Sequence, residues 1–166
     1  MRPNIHESCF VHESAAIIGD VTIGKNCGVW PNAVIRGDQN TITIGDNSNV
    51  QDCCVIHVDA KNTSSLGDNV SLGHGSVVHG ATIEDNVVVG MKAVVLNGAV
   101  IGKGSVIAAG ALVTQGTVVP PRSLVVGLPG KILKEDDASL EEYAIRNAQT
   151  YVQLAARYKN GDFQQY

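Results

Sequence analysis

Three of the five histidines, His57, His74 and His79, fall within one stretch from Val50 to Gly80, VQDCCVIHVDAKNTSSLGDNVSLGHGSVVHG. Imidazole is the commonest protein ligand for transition metals, and three in so short a span suggest a metal site. Their spacings of 17 and 5 fit no helical motif such as H-E-x-x-H. The flanking Val, Ile, Leu, Gly and Ser belong instead to strands and turns. What the histidines can do together depends on the repeat that carries them.

That repeat is six residues long. Aliphatic side chains recur at Ile5, Val11, Ile17, Ile23, Val29 and Ile35, then at Ile44, Val50 and Ile56, then at Leu66, Leu72 and Val78. After one five-residue step the count runs from Ile83 in unbroken sixes to Val125. A second register of small residues lies two positions ahead: Cys9, Ala15, Cys27, Ala33, Ser48, Cys54, Ser76, Ala81, Ala93, Ala99, Ser105 and Ala111. With Gly-rich turns between, the pattern predicts an all-β stacked solenoid. The hexapeptide resembles that of the left-handed parallel β-helix proteins, in which three hexads make one triangular coil. The left hand comes from that resemblance alone, since general rules favour right-handed crossovers.

Length and composition set the frame. A chain of 166 residues, 44% hydrophobic and 17% charged, is expected to form one domain with a sizeable core. A net charge of -4 without a basic stripe gives no reason to expect nucleic acid. The N-terminus lacks a signal-peptide apolar run and no stretch suits a membrane span, so a cytoplasmic protein is expected. Cys9, Cys27 and Cys54 sit on the small inward register and are expected in the core, with Cys53 exposed. Residues 1–130 are read as the β-helix, and 131–166 as a polar linker and an amphipathic helix packing on the coil. A capping box of Ser139 and Glu142 is expected to start that helix, with Leu140, Tyr143, Ala144, Tyr151, Ala155 and Tyr158 on its apolar face to about Lys159.

Rotating three hexads per coil places Ile35, Ile56 and Val78 on one face in consecutive coils. The residues that follow, Arg36, His57 and His79, then form an outward column with rungs about 4.8 Å apart. Two imidazoles on adjacent rungs can share one ion, since each nitrogen need only reach about 2.0 to 2.1 Å from zinc. His74 falls at the next corner, above Asp52, and faces away from the pair. The simplest third ligand is therefore His74 of a neighbouring subunit, which implies a homotrimer with interfacial metals. His6 and His12 are read as ordinary surface residues.

RGD (36–38), NVQD (49–52), IH (56–57), GH (73–74) and VHG (78–80), with GLPGK (127–131) and RNAQTY (146–151), resemble in order and context the γ-class carbonic anhydrase family over nearly the whole chain. The resemblance implies zinc, or iron(II) or cobalt, held by His57 and His79 of one subunit and His74 of the next. Such a metal lowers the pKa of water to about 7, supplying hydroxide to attack CO2 and give bicarbonate. It further implies that Gln51 orients the nucleophile, that Arg36 and Asp38 pair across the interface, and that Tyr151, sharing a helix face with Asn147, lies near the metal. Asp52 as a proton acceptor and Asn49 beside Gln51 complete the candidate catalytic set, and each member has a plainer alternative: a structural ion pair for Arg36 and Asp38, a turn acceptor for Asp52, mere support of Gln51 for Asn49, and helix packing for Tyr151.

One departure stands out. The loops at 37–43 and 58–65 lack the acidic residues that the family's archetypes use for proton transfer; Gln39 replaces an acid and Asp59 is the carboxylate left nearby. A hexapeptide-repeat acyltransferase, a CoA thioesterase and a non-catalytic trimeric scaffold remain as alternatives, because fold alone does not separate them.

Overall fold

The computed structural model describes residues 1–163; positions 164–166 of the expected C-terminal segment lie outside the described residues. Short β-branched strands separated by turns wind into a parallel solenoid of triangular section. Two faces are joined into an eleven-stranded sheet by strands long enough to turn the corner, Ala16–Ile23 and Val34–Ile44. The third face stacks seven parallel strands from Phe10–Val11 to Leu124–Val126. The expected aliphatic register fills the centre: Ile23, Ile35, Ile56, Leu72, Val78, Ile101 and Ile107 are among its buried members. The first coil is the exception. Val11, with no coil stacked outside it, is 38% exposed. Cys9, Cys27 and Cys54 are buried and Cys53 is exposed, all four unpaired.

The faces differ in what they turn outward. One presents Asn4, Thr22, Thr43, Ser65 and Thr82, a row suited to water, and turns aliphatic only in its last coils at Val100 and Val118. The second buries Gly28, Asn49, Ser71 and Val88 beneath the C-terminal helix. The third presents Val34, Val55, Val77, Val94 and Leu112, in register and only partly buried. That open aliphatic ladder runs beside the column that holds His57 and His79.

Asparagines at the corners explain how the turns close so tightly. Asn26, Asn47, Asn69 and Asn86 all adopt positive φ, between 55° and 58°, a region their short polar side chains tolerate. Their amides also bond rung to rung, Asn26 to Asn47 at 3.2 Å and Asn69 to Asn86 at 3.0 Å, and Asn86 donates to Glu141 of the helix at 2.8 Å.

Two C-terminal expectations are corrected. Segment 131–134 is not linker but a strand, Lys131–Lys134, that folds back antiparallel on Leu124–Val126 and closes the sheet's last edge. The helix Ala138–Lys159 begins two residues earlier than expected: its cap is Asp137, whose carboxylate accepts from the Ser139 N–H at 3.0 Å. Ser139 Oγ also donates to Asp137, so the serine is engaged by the cap and forms no capping box with Glu142. Ala144, Ala148 and Ala155 make the buried stripe, and Tyr143, expected on the apolar face, is exposed at its edge. Among the described residues no helix is long and apolar enough to cross a membrane.

The cap yields a prediction with a sign. Bonds from Ser139, and then Lys134, hold the Asp137 carboxyl below its ordinary pKa. Its contribution is present above the unfolded value and is lost as pH falls through the lower folded value. Asp137→Ala is expected to lower the urea midpoint at pH 7 more than Glu142→Ala does, and the difference should shrink as acid is added below about pH 4.

Candidate metal centre

The parallel ladder pairs Arg36 with His57 and His57 with His79, so the expected column forms. Within it, His57 Nδ1 and His79 Nε2 converge at 3.0 Å. The outer nitrogen of each ring meets an oxygen. Asp38 Oδ1 accepts from His57 Nε2 at 3.0 Å, and Asn97 Oδ1 accepts from His79 Nδ1 at 2.6 Å. Asp38 is itself paired with Arg36. The bond from His57 first, and Arg36 second, hold its carboxyl below the usual range.

A second constellation forms one corner away. His74 Nδ1 bonds Asp52 at 2.7 Å, and the His74 backbone N–H donates to Gln51 Oε1 at 3.2 Å. Gln51 Nε2 donates to Asn49 at 3.0 Å, and Asn49 in turn donates to Ser71 at 2.8 Å. Gln51 is 4% exposed and Asn49 1%, so the amide is locked at both ends inside the protein. The helix lays Tyr143, Asn147 and Tyr151 over this corner, enclosing with Gln51, His74 and Met91 a cavity of about 330 Å³. Partial burial pushes the Tyr151 hydroxyl above its ordinary pKa, and the Asp52 carboxylate acts in the same direction. Tyr151 also packs edge-on against Trp30, ring centres 5.8 Å apart.

The expected site residues thus divide into two half-sites. Arg36, Asp38, His57 and His79 form one; Asn49, Gln51, Asp52, His74 and Tyr151 form the other. Among the described residues no three His, Cys, Asp or Glu side chains of one chain are arranged to hold an ion. Arg36 and Asp38 pair with each other inside one chain. His6 and His12 bond the nearby Ser8 and Ser14.

Asp38 and Asn97 revise the reading of the nearby acids. Asp38 is the carboxylate in contact with the His57–His79 pair, whereas Asp59 reaches His79 only through Asn97. Asp59 is also fully engaged: its Oδ1 accepts from the N–H of Lys61 at 2.8 Å, that of Asn62 at 2.8 Å and the Asn62 amide at 2.9 Å. These bonds, Lys61 first, hold it below the ordinary carboxylate pKa. Asn97 was missed in the sequence because it sits one coil further on. Register arithmetic places Val95 under Val78, which puts Asn97 beneath Gly80, beside His79.

Comparison with known proteins follows the same lines. Residues 2–37 and 80–115 match the family described as "Bacterial transferase hexapeptide (six repeats)". A "Probable carbonic anhydrase" of Methanocaldococcus jannaschii is 53% identical over 155 residues, covering 91% of this chain and 95% of that protein. The chain belongs to the γ-class carbonic anhydrase-like family of hexapeptide-repeat proteins. Its solenoid is the left-handed parallel β-helix of hexapeptide repeats, with one C-terminal helix. "Gamma carbonic anhydrase 2, mitochondrial" of Arabidopsis thaliana is 40% identical over 92% of this chain, which spans 57% of that longer protein. A solved hexapeptide transferase family protein from Anaplasma phagocytophilum superposes with a TM-score of 0.90 at 36% identity, covering 94% of this chain and 92% of its own.

The buried amide chain is testable alone. Asn49→Ala leaves the Gln51 amide and the Ser71 hydroxyl without their partner inside the protein. A loss of about 1–3 kcal/mol in urea denaturation is expected.

Proposed function

We propose that the protein catalyses the metal-dependent, reversible hydration of CO2 to bicarbonate at sites formed between subunits of a homotrimer. The observation that carries this reading is the convergence of His57 Nδ1 and His79 Nε2 at 3.0 Å, with the outer nitrogens taken by oxygen acceptors. Two ligands of one tetrahedral zinc stand about 3.3 Å apart when each lies about 2.0 Å from it, so the pair fits a shared ion after a small opening. His74, the third ligand, comes from the partner subunit. The aliphatic ladder Val34, Val55, Val77, Val94 and Leu112 supports a subunit contact on that side: it stays aliphatic over five successive coils, while the C-terminal helix packs on another face.

Zinc, iron(II) or cobalt in this place would supply a nucleophile from water at neutral pH by lowering the pKa of that water to about 7. The chain's own groups do the rest. Gln51, fixed by Asn49 and by the His74 backbone, has one amide N–H left to orient the attacking oxygen. Asp38 holds the His57 ring by its Nε2 and is held in turn by Arg36. Tyr151 and Asn147 close the substrate side of the Gln51 corner against bulk water. Asp59, engaged by four donors, is no proton carrier, so protons leave through water or external buffer. Four unpaired thiols suit a reducing compartment, and we assign the protein to the cytoplasm.

One observation favours a second reading. Asp52 bonds His74 Nδ1 and so leaves Nε2 free to act as a general base beside the cavity, an arrangement suited to acyl transfer or CoA thioester hydrolysis. The two readings separate cleanly on His79→Ala, which should abolish CO2 hydration yet spare chemistry that needs only His74.

Two outcomes follow for the hydration reading. Mixing His57→Ala and His74→Ala subunits should restore about one quarter of wild-type sites after random exchange into trimers, because one interface then combines intact ligands from both. No recovery after verified exchange contradicts an interfacial site. In stopped-flow assays kcat should rise with buffer concentration while kcat/KM for CO2 does not, and Gln39→Glu should weaken that dependence by adding an internal carrier. A metal-loaded trimer without hydration at any buffer concentration rejects the proposal.

A further inference from the structure

Asn97 stands between a carboxylate and an imidazole, and the chemistry of the two fixes which way its amide points. Asp59 Oδ2 can only accept, so Asn97 turns its Nδ2 toward it. The amide oxygen is thereby aimed at His79 Nδ1, 2.6 Å away. An amide oxygen also only accepts, so the ring proton of neutral His79 belongs on Nδ1 and the lone pair on Nε2. Nε2 is the atom that faces His57.

We propose that Asn97, oriented by Asp59, is a positioning residue that sets the tautomer and ring direction of His79, presenting Nε2 as a ready ligand for a divalent cation. The inference rests on the metal reading above and extends it to two residues outside the ligand set. It assigns the loop 58–62 a purpose: Asp59 anchors an amide rather than carrying protons. Asp59 itself is held by the Lys61 and Asn62 N–H groups, so the chain of bonds is tied to backbone at its far end.

The surrounding backbone makes room for this arrangement. Gly80 has φ of +58°, and a Cβ there would lie 2.8 Å from Asn62 Cβ and 3.4 Å from Asn97 Cγ. A side chain at position 80 would push apart the two asparagines that meet on Asp59. Ser64 Oγ, donating to the His57 carbonyl at 2.9 Å and accepting from the Gly80 N–H at 3.0 Å, fixes that glycine between the two histidine strands. The loop, the glycine and the amide therefore form one support for a single imidazole.

The test uses the full-length protein in two states. In the ion-free state, nitrogen-15 NMR of the histidine rings should find wild-type His79 protonated at Nδ1, and Asn97→Leu should shift it toward the Nε2–H form. In the zinc titration, chelator competition should give Asn97→Leu an affinity about 10–100-fold weaker than wild type. Asn97→Asp combined with Asp59→Asn, which exchanges the acid and the amide and so keeps both the donor between them and the acceptor toward His79, should retain the Nδ1–H tautomer. If Asn97→Leu does not fold, Asn97→Ala removes the same acceptor with less added bulk and is read in the same way. Wild-type tautomer and wild-type zinc affinity in the variant that folds overturn the proposal. A wild-type protein that takes up no zinc overturns instead the metal reading, while the ion-free spectra still decide what Asn97 does to His79.

Discussion

In-register stacking of parallel strands governs this molecule. Val34, Val55 and Val77 lie over one another, as do Ile35, Ile56 and Val78, so the next residues, Arg36, His57 and His79, must form a column. A slip of one residue between coils would turn the histidines inward and the aliphatic side chains out. The core prevents it: Ile35, Ile56 and Val78 are fully buried, and any such slip would bring Arg36, His57 and His79 into their places. Hydrophobic packing thus sets the spacing of the two imidazoles to within a rung.

The division of the three faces then determines what the coil can join. One face is lined with Thr and Ser over its first coils, and the helix covers a second, where Asn49, Ser71 and Gln51 form their buried chain. The remaining face carries the aliphatic ladder beside His57 and His79. The His57–His79 pair and the His74 corner lie at neighbouring corners of one triangle, and among the described residues no three His, Cys, Asp or Glu side chains of one chain are arranged to hold an ion. Under the proposed function, activity and assembly are coupled: the aliphatic ladder lies beside the His57–His79 pair.

Much of this was legible in the sequence because period-six hydrophobicity is a long, redundant signal. Column membership of Arg36, His57 and His79, the corner position of His74 over Asp52, and burial of Cys9, Cys27 and Cys54 all follow from counting. What escaped was set by single contacts rather than by period. Asp137 displaces the Ser139–Glu142 box because one carboxylate two residues before the serine reaches its N–H first. The strand Lys131–Lys134 carries charges at both ends, as exposed edges do, and so read as linker. Asp59 was placed only as a carboxylate left nearby, because nothing in its local sequence reveals that Lys61, Asn62 and Asn97 all donate to it. Asn97 carries no motif at all, and only its rung gives it away.

The most direct measurement is an anomalous diffraction map of the zinc-loaded protein collected on both sides of the zinc absorption edge. The account predicts one peak per subunit, bonded to His57 Nδ1, His79 Nε2 and His74 of the partner subunit, with the His79 Nδ1 to Asn97 bond retained. A peak held within one chain, or on His74 and Asp52 without His57 and His79, would contradict it.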